Sequence, residues 1–262
     1  MGININAKIL LSIASIAAAA ALVVGATFAF FSDSETSTGN TFTAGTLDLL
    51  VDSECHYFQD DIDVTCGEGD AFGNWTQTDL ESGVHTFFNF DDIKPGDRGE
   101  NTVSLHVVDN DAWGRFVISD VVDTDNENDG GLQGALLFNI WLDQGSVDGF
   151  QCDDTPACVA DAEEGDNIQQ ENNEPTLVTQ GNVDLAGETH NIWEGLVAAH
   201  AFNEGDSDGI FSDGRMVGST TYYFGIAWDL PADTGDEVQG DSLTATLGFE
   251  VVQARNNPGH VF

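Results

Sequence analysis

Asp125, Glu127 and Asp129 occupy the first, third and fifth positions of Asp125-Asn126-Glu127-Asn128-Asp129-Gly130, with glycine at the sixth. That is the front half of a calcium loop, which gathers oxygen ligands around a sharp glycine turn. The back half is missing, because position twelve is Leu136 and not a bidentate glutamate. Asp206-Ser207-Asp208-Gly209 is a still shorter version. Two readings stay open, a bound calcium ion or a solvated acidic loop, and no other cofactor is expected.

The histidines, His56, His85, His106, His190, His200 and His260, include no H-E-x-x-H pair, so a zinc protease lacks its ligand spacing. His106 falls on the polar face of its strand and reads as a surface residue. No G-x-S-x-G, Walker or dinucleotide fingerprint occurs. Carboxylates are so frequent that two close together are no sign of acid/base catalysis, and the chain is expected not to be an enzyme. Cys55 and Cys66 form one local pair and Cys152 and Cys158 another. Without C-x2-C spacing they read as two loop-closing disulfides of an exported protein, with local pairing preferred among the three connectivities. Asn74-Trp75-Thr76 is the sequon for glycosylation at Asn74.

These residues sit in a very acidic chain: 46 Asp plus Glu face 6 Lys plus Arg, for a net charge of -40, yet 41% of the 262 residues are hydrophobic. A core can form, but self-repulsion opposes it unless counter-ions screen the charge. The Debye length falls to about 3 Å in molar salt, so the composition points to a halophile. Nucleic acid and anionic membranes are poor partners for such a surface.

Ile9 to Phe31 is an almost unbroken apolar run preceded by Lys8. It reads as a secretory signal cleaved after Ala29, which leaves Phe30 as the mature start; retained, the same run is long enough to anchor the chain in a bilayer. Its alanine-rich composition fits removal better. The mature sequence alternates short β-type runs with Gly, Asp and Asn clusters. Seven runs are expected as strands, at Leu47 to Val51, Val84 to Phe90, Val103 to Val107, Trp113 to Val122, Ala135 to Leu142, Thr220 to Trp228 and Ser242 to Val251. In the last, Leu243, Ala245, Leu247, Phe249 and Val251 define a core face. Lys94-Pro95-Gly96-Asp97 reads as a turn. Residues 143–214 form a long acidic insertion with a short helix at Ile192 to Phe202. The expected fold is an all-β, jelly-roll type antiparallel β-sandwich over residues 41–262.

Three stretches together resemble the TasA and camelysin family of exported matrix fibre proteins: GATFAFFSDSETSTGNTFTAGTLDL from Gly25 to Leu49, FNFDDIKPGDRGENTVSLHVVDNDAWGRFVI from Phe88 to Ile118, and VQGDSLTATLGFEVVQARNN from Val238 to Asn257. The insertion and the cysteines have no counterpart. The resemblance implies a signal peptide of the SipW-dependent type removed by a dedicated signal peptidase. It also implies a jelly-roll subunit and head-to-tail filaments or pili of a biofilm matrix, here of haloarchaeal character. The segment 30–40 would then be a donor strand, with Phe30 and Phe31 as apolar plugs and Ser32, Asp33, Ser34 and Glu35 pairing with a neighbouring copy. The expected partner is the chain itself, outside the cell and without a membrane anchor once cleaved. The rival readings are a membrane-retained or monomeric surface binding protein and a secreted camelysin-like metalloprotease.

Overall fold

The computed structural model describes residues 32–36, 47–59, 62–64, 66–90, 92–125, 131–147, 149–150, 161–170, 174–182, 189–203 and 209–262. Within them the chain is a sandwich of two antiparallel sheets. The strands are β1 (Ser32–Thr36), β2 (Asp48–Gln59), β3 (Ile62–Val64), β4 (Trp75–Thr78), β5 (Arg98–Val108), β6 (Ala112–Thr124), β7 (Leu137–Leu142), β8 (Thr176–Asn182), β9 (Thr189–Asn191), β10 (Thr220–Asp229) and β11 (Ser242–Gln253). Two helices, α1 (Leu132–Ala135) and α2 (Ile192–Asn203), complete the elements that matter here. The smaller sheet runs β1-β11-β6-β9; the larger runs β3-β2-β5-β10-β7-β8, with β4 also on β2.

Alternation with period two produces this arrangement. Leu49 and Val51 of β2, Val103, Leu105 and Val107 of β5, Tyr222, Phe224 and Ile226 of β10 and Ile140 and Leu142 of β7 all point inward and are buried. From the opposite sheet come Phe116 and Ile118 of β6 and Phe249 and Val251 of β11. Phe249 is the hub, with ring centroids 5.2 Å from Phe116, 6.1 Å from Phe224 and 6.2 Å from Phe87.

The run from Val84 to Phe90, expected as a strand, is irregular. Its apolar residues do face the core, but its backbone is satisfied from elsewhere: Thr86 N–H donates to Asp70 O at 2.9 Å, and Phe87 O accepts the buried Asn101 Nδ2 at 3.0 Å. A side-chain amide from β5 has replaced a neighbouring strand as partner. The stretch 143–214 is woven into both sheets, through β8 on β7 and β9 on β6, and buries Val178, Ile192, Leu196 and Ala199 in the common core. Its helix matches the expected position closely.

Candidate functional site

β11 has two halves with different surroundings. Its Gly248–Val252 half carries β1 antiparallel on one side, from Ser32 opposite Val252 to Thr36 opposite Gly248, and β6 on the other. β1 is therefore the edge strand of the small sheet. The Ser242–Leu247 half lines an open groove of about 880 Å³ whose walls are Phe87, Phe88, Phe90, Phe138, Trp228, Leu230 and the α1 residue Leu132. Ala245, on the face that alternation assigns to the core, is exposed, because the sheets part at this end and it looks into the groove. Nearby, the β6 ladder carries a bulge: Thr244 pairs Val122 and Thr246 pairs Ser119, with Asp120 in the left-handed region at φ 52°.

The Lys94–Asp97 turn forms one rim of the groove. Gly96 sits at φ 96°, as such a turn requires, and Asp97 N–H donates to Lys94 O at 2.8 Å. The turn is tied to the end of β10 by Gly96 N–H to Leu230 O at 2.7 Å and Leu230 N–H to Asp97 O at 2.9 Å. The buried Asp97 carboxylate accepts Lys94 N–H at 2.8 Å and Tyr57 O–H at 2.9 Å. Burial, then the bond to this carboxylate, pushes the Tyr57 hydroxyl up to about 12, so it stays a donor. Tyr57, Phe90 and Trp228 pack beneath, with centroids 4.5 and 5.3 Å from Phe90. The turn is thus a rigid, hydrogen-bonded lip over an aromatic floor.

His106, expected at the surface, is half-buried in a polar network on the outer face of the large sheet. Its Nε2 is 2.9 Å from Asp52 Oδ2 and its Nδ1 2.8 Å from Thr221 Oγ1, while Ser104 Oγ donates to Asp52. The polar face of β5 is covered here rather than solvated, which alternation does not reveal. Asp, His and a hydroxyl in line resemble a nucleophile and its base, yet Thr221 is buried, so no substrate carbonyl could reach its hydroxyl and the network reads as structural.

Cys55 and Cys66 are bridged; Cys152 and Cys158 lie outside the described residues. Asn74 is tied into the same corner: Cys55 N–H donates to its Oδ1 at 3.0 Å, and its Nδ2 donates to Phe72 O at 3.2 Å. A glycan there would have to share a nitrogen already in use. Of the calcium positions only Asp125 is described, Glu127 and Asp129 falling outside. Among the described residues no three His, Cys, Asp or Glu side chains converge as a metal site. Ser32, Asp33, Ser34 and Glu35 form β1, whereas Ala29, Phe30 and Phe31, and with them the signal and its cleavage point, lie outside.

The scarce cations are placed against aromatic rings and carboxylates. Arg98 lies over Phe58 at 4.6 Å, Arg115 over Phe262 at 4.0 Å and beside Glu250, and Arg215 over Phe211 at 4.5 Å with Asp111 and Asp213 at 3.0 and 2.6 Å. No described helix is long and apolar enough to cross a membrane.

The family model described as camelysin metallo-endopeptidase matches residues 4–68, a stretch that runs from the apolar segment through β1, β2 and the Cys55–Cys66 bridge. No curated protein matches the chain. Over this N-terminal stretch the chain is similar to the camelysin family.

Proposed function

We propose that the protein is a structural subunit of an extracellular filament or bundling pilus of a biofilm matrix, assembled head-to-tail by exchange of the N-terminal strand. The observation that carries this reading is β1 itself: a five-residue strand at a sheet edge, contributed by the segment that signal cleavage would free. A strand that completes its own sheet from the edge can complete a neighbour's sheet in the same register, which is the low-cost exchange of an identical element. Main-chain hydrogen bonds supply the affinity. The covered edge is otherwise a liability in a monomer.

The direction of β1 fits an open chain of subunits. Ser32 lies at the Val252 end of β11, while the groove opens at the Ser242 end. The twelve residues of β11 span about 40 Å at roughly 3.3 Å per residue. Strand arrival and apolar groove are therefore at opposite poles. The proposed donor strand therefore enters at the end of β11 where Trp113 pairs with Val252.

High salt is part of the proposal, because a net charge of -40 must be screened for copies to approach. Dialysis to millimolar ionic strength is expected to abolish β-type circular dichroism, with partial rescue by divalent ions; an unchanged spectrum would remove the halophile argument. Negative-stain imaging of protein recovered from the medium, with N-terminal sequencing, tests the function directly. Filaments beginning at Phe30 are expected. Folded monomers that retain residues 1–29 would favour the anchored surface protein instead. The peptidase in the matching family's name is tested by casein cleavage with and without chelator, and chelator-sensitive cleavage would overturn the structural reading.

A further inference from the structure

Beyond the Val252 end of β11 the chain leaves the sheet as a small closed knob. Ala254 N–H donates to Asp111 O at 2.9 Å, and Asn257 N–H to Ala254 O at 3.1 Å. The Asn257 side chain grips Val261 twice, Oδ1 accepting its N–H at 3.0 Å and Nδ2 donating to its carbonyl at 3.2 Å. Trp113 fastens the knob to β6: its Nε1 donates to Asn257 O at 2.8 Å, and its ring lies 4.1 Å from that of His260. A segment tied at both ends in this way is pre-organised, so docking it orders little more.

Two side chains of the knob are left to solvent. Val261 is 72% exposed. Arg255 is exposed too, and among the described residues it meets neither a carboxylate nor a ring. In a chain with 46 acidic and 6 basic residues that is an anomaly, since Arg98, Arg115 and Arg215 each lie over a phenylalanine and Lys94 pairs with Asp92. The groove at the other pole offers what Arg255 lacks. Phe88 and Phe90 line it with ring centroids 6.2 Å apart, and Asp92, Asp236 and Asp241 stand around them. A ring with a carboxylate beside it is the setting that Arg115 and Arg215 already have.

We propose that the knob of one copy docks in the groove of the next, with Arg255 over the aromatic wall and against the acidic rim, and Val261 on the apolar floor. The inference rests on the filament reading and names a second contact between its subunits. Knob and groove lie at opposite ends of β11, about 40 Å apart at roughly 3.3 Å per residue. A chain therefore cannot fill its own groove with its own knob. The contact joins unlike surfaces and leaves one of each free at the two ends, which is the geometry of an open chain of subunits. The span of an exchanged β1 agrees. Thr36 lies opposite Gly248 with β1 heading for the groove pole, whereas Leu47 precedes β2 at the knob pole: Asp48 is opposite Val108, and Ala112, four residues after Val108, is opposite Gln253. The ten residues between Thr36 and Leu47 span at most about 36 Å. About 20 Å of that covers the distance along β11 from Gly248 to Ser242, and the remainder bridges to a copy whose knob pole faces the groove.

Because Arg255 and Asp236 belong to opposite poles, the double variant Arg255→Cys with Asp236→Cys can join these positions by a disulfide only across two copies. Both sites are exposed, so the substitutions spare the core. Filaments of this variant secreted in high salt, oxidised and separated without reductant, are expected to give linked multimers that neither single variant gives. Arg255→Glu sets like charges against the rim and is expected to shorten filaments by roughly tenfold, with part of the length restored by Asp236→Arg in the same chain. Filaments of the double variant without linked multimers, or filaments of native length from Arg255→Glu, would overturn the docking and leave the filament reading in place. A native chain found only as folded monomers in high salt would overturn both.

Discussion

The two halves of β11 share one alternating sequence and have different fates. In the Gly248–Val252 half, strands lie on both sides and the inward side chains meet Phe116 and Phe224. In the Ser242–Leu247 half the inward side chains face a groove, and Ala245 is exposed. Alternation fixes which way a side chain points; what it meets depends on whether the opposite sheet extends that far. The wall on this side is the run expected as a strand, Val84 to Phe90, which is an irregular segment held by Asn101 and Asp70 and lines the groove with Phe87, Phe88 and Phe90.

Truncation in the packed half should have the largest consequence. Phe249→Ala removes the ring shared by three aromatic neighbours and is expected to cost about 3–5 kcal/mol, read from denaturant midpoints in constant high salt. An effect near that of an exposed substitution would break the contrast. The groove's lip comes next. Asp97→Ala leaves Tyr57 O–H and Lys94 N–H without their acceptor at a buried position, and is expected to cost about 1–3 kcal/mol. Solution NMR should place the disturbance at the lip and not in the packed half. Leu243→Ala, in the groove half, is expected to cost about 1 kcal/mol, since this half-buried side chain leaves less cavity behind. A loss as large as that of Phe249→Ala would mean that the groove is packed in solution.

Much of this was legible in the sequence where a short-range rule decides. The core faces of β5, β10 and the packed half of β11 follow from period two, the Lys94–Asp97 turn from its proline and glycine, and α2 from the apolar run at Ile192 to Phe202. The signals failed where a distant residue decides. Val84 to Phe90 has strand composition, but the side chain of Asn101 satisfies its backbone. β8 and β9 lie in an acidic stretch whose pairing partners are remote in sequence. His106 alternates as a surface residue, yet the outer face of its sheet is covered, and the buried Asp143 and Glu174 cannot be told apart by sequence from the many other carboxylates. The strand edge is an intermediate case. The resemblance pointed to Ser32 to Glu35 as a pairing strand, and the structure pairs them with β11 of the same chain; exchange between copies is the proposal built on that register.

Whether the strand is exchanged can be read from one gel. Ser34 and Glu250 are opposite each other in the β1–β11 register. The double variant Ser34→Cys with Glu250→Cys should therefore oxidise wherever β1 lies on β11, within a chain or between chains. Secreted filaments of this variant, oxidised and run without reductant, are expected to give a ladder of covalently linked multimers that collapses to one band on reduction. Filaments that yield only internally bridged monomers would show that β1 stays on its own subunit, and would contradict assembly by strand exchange.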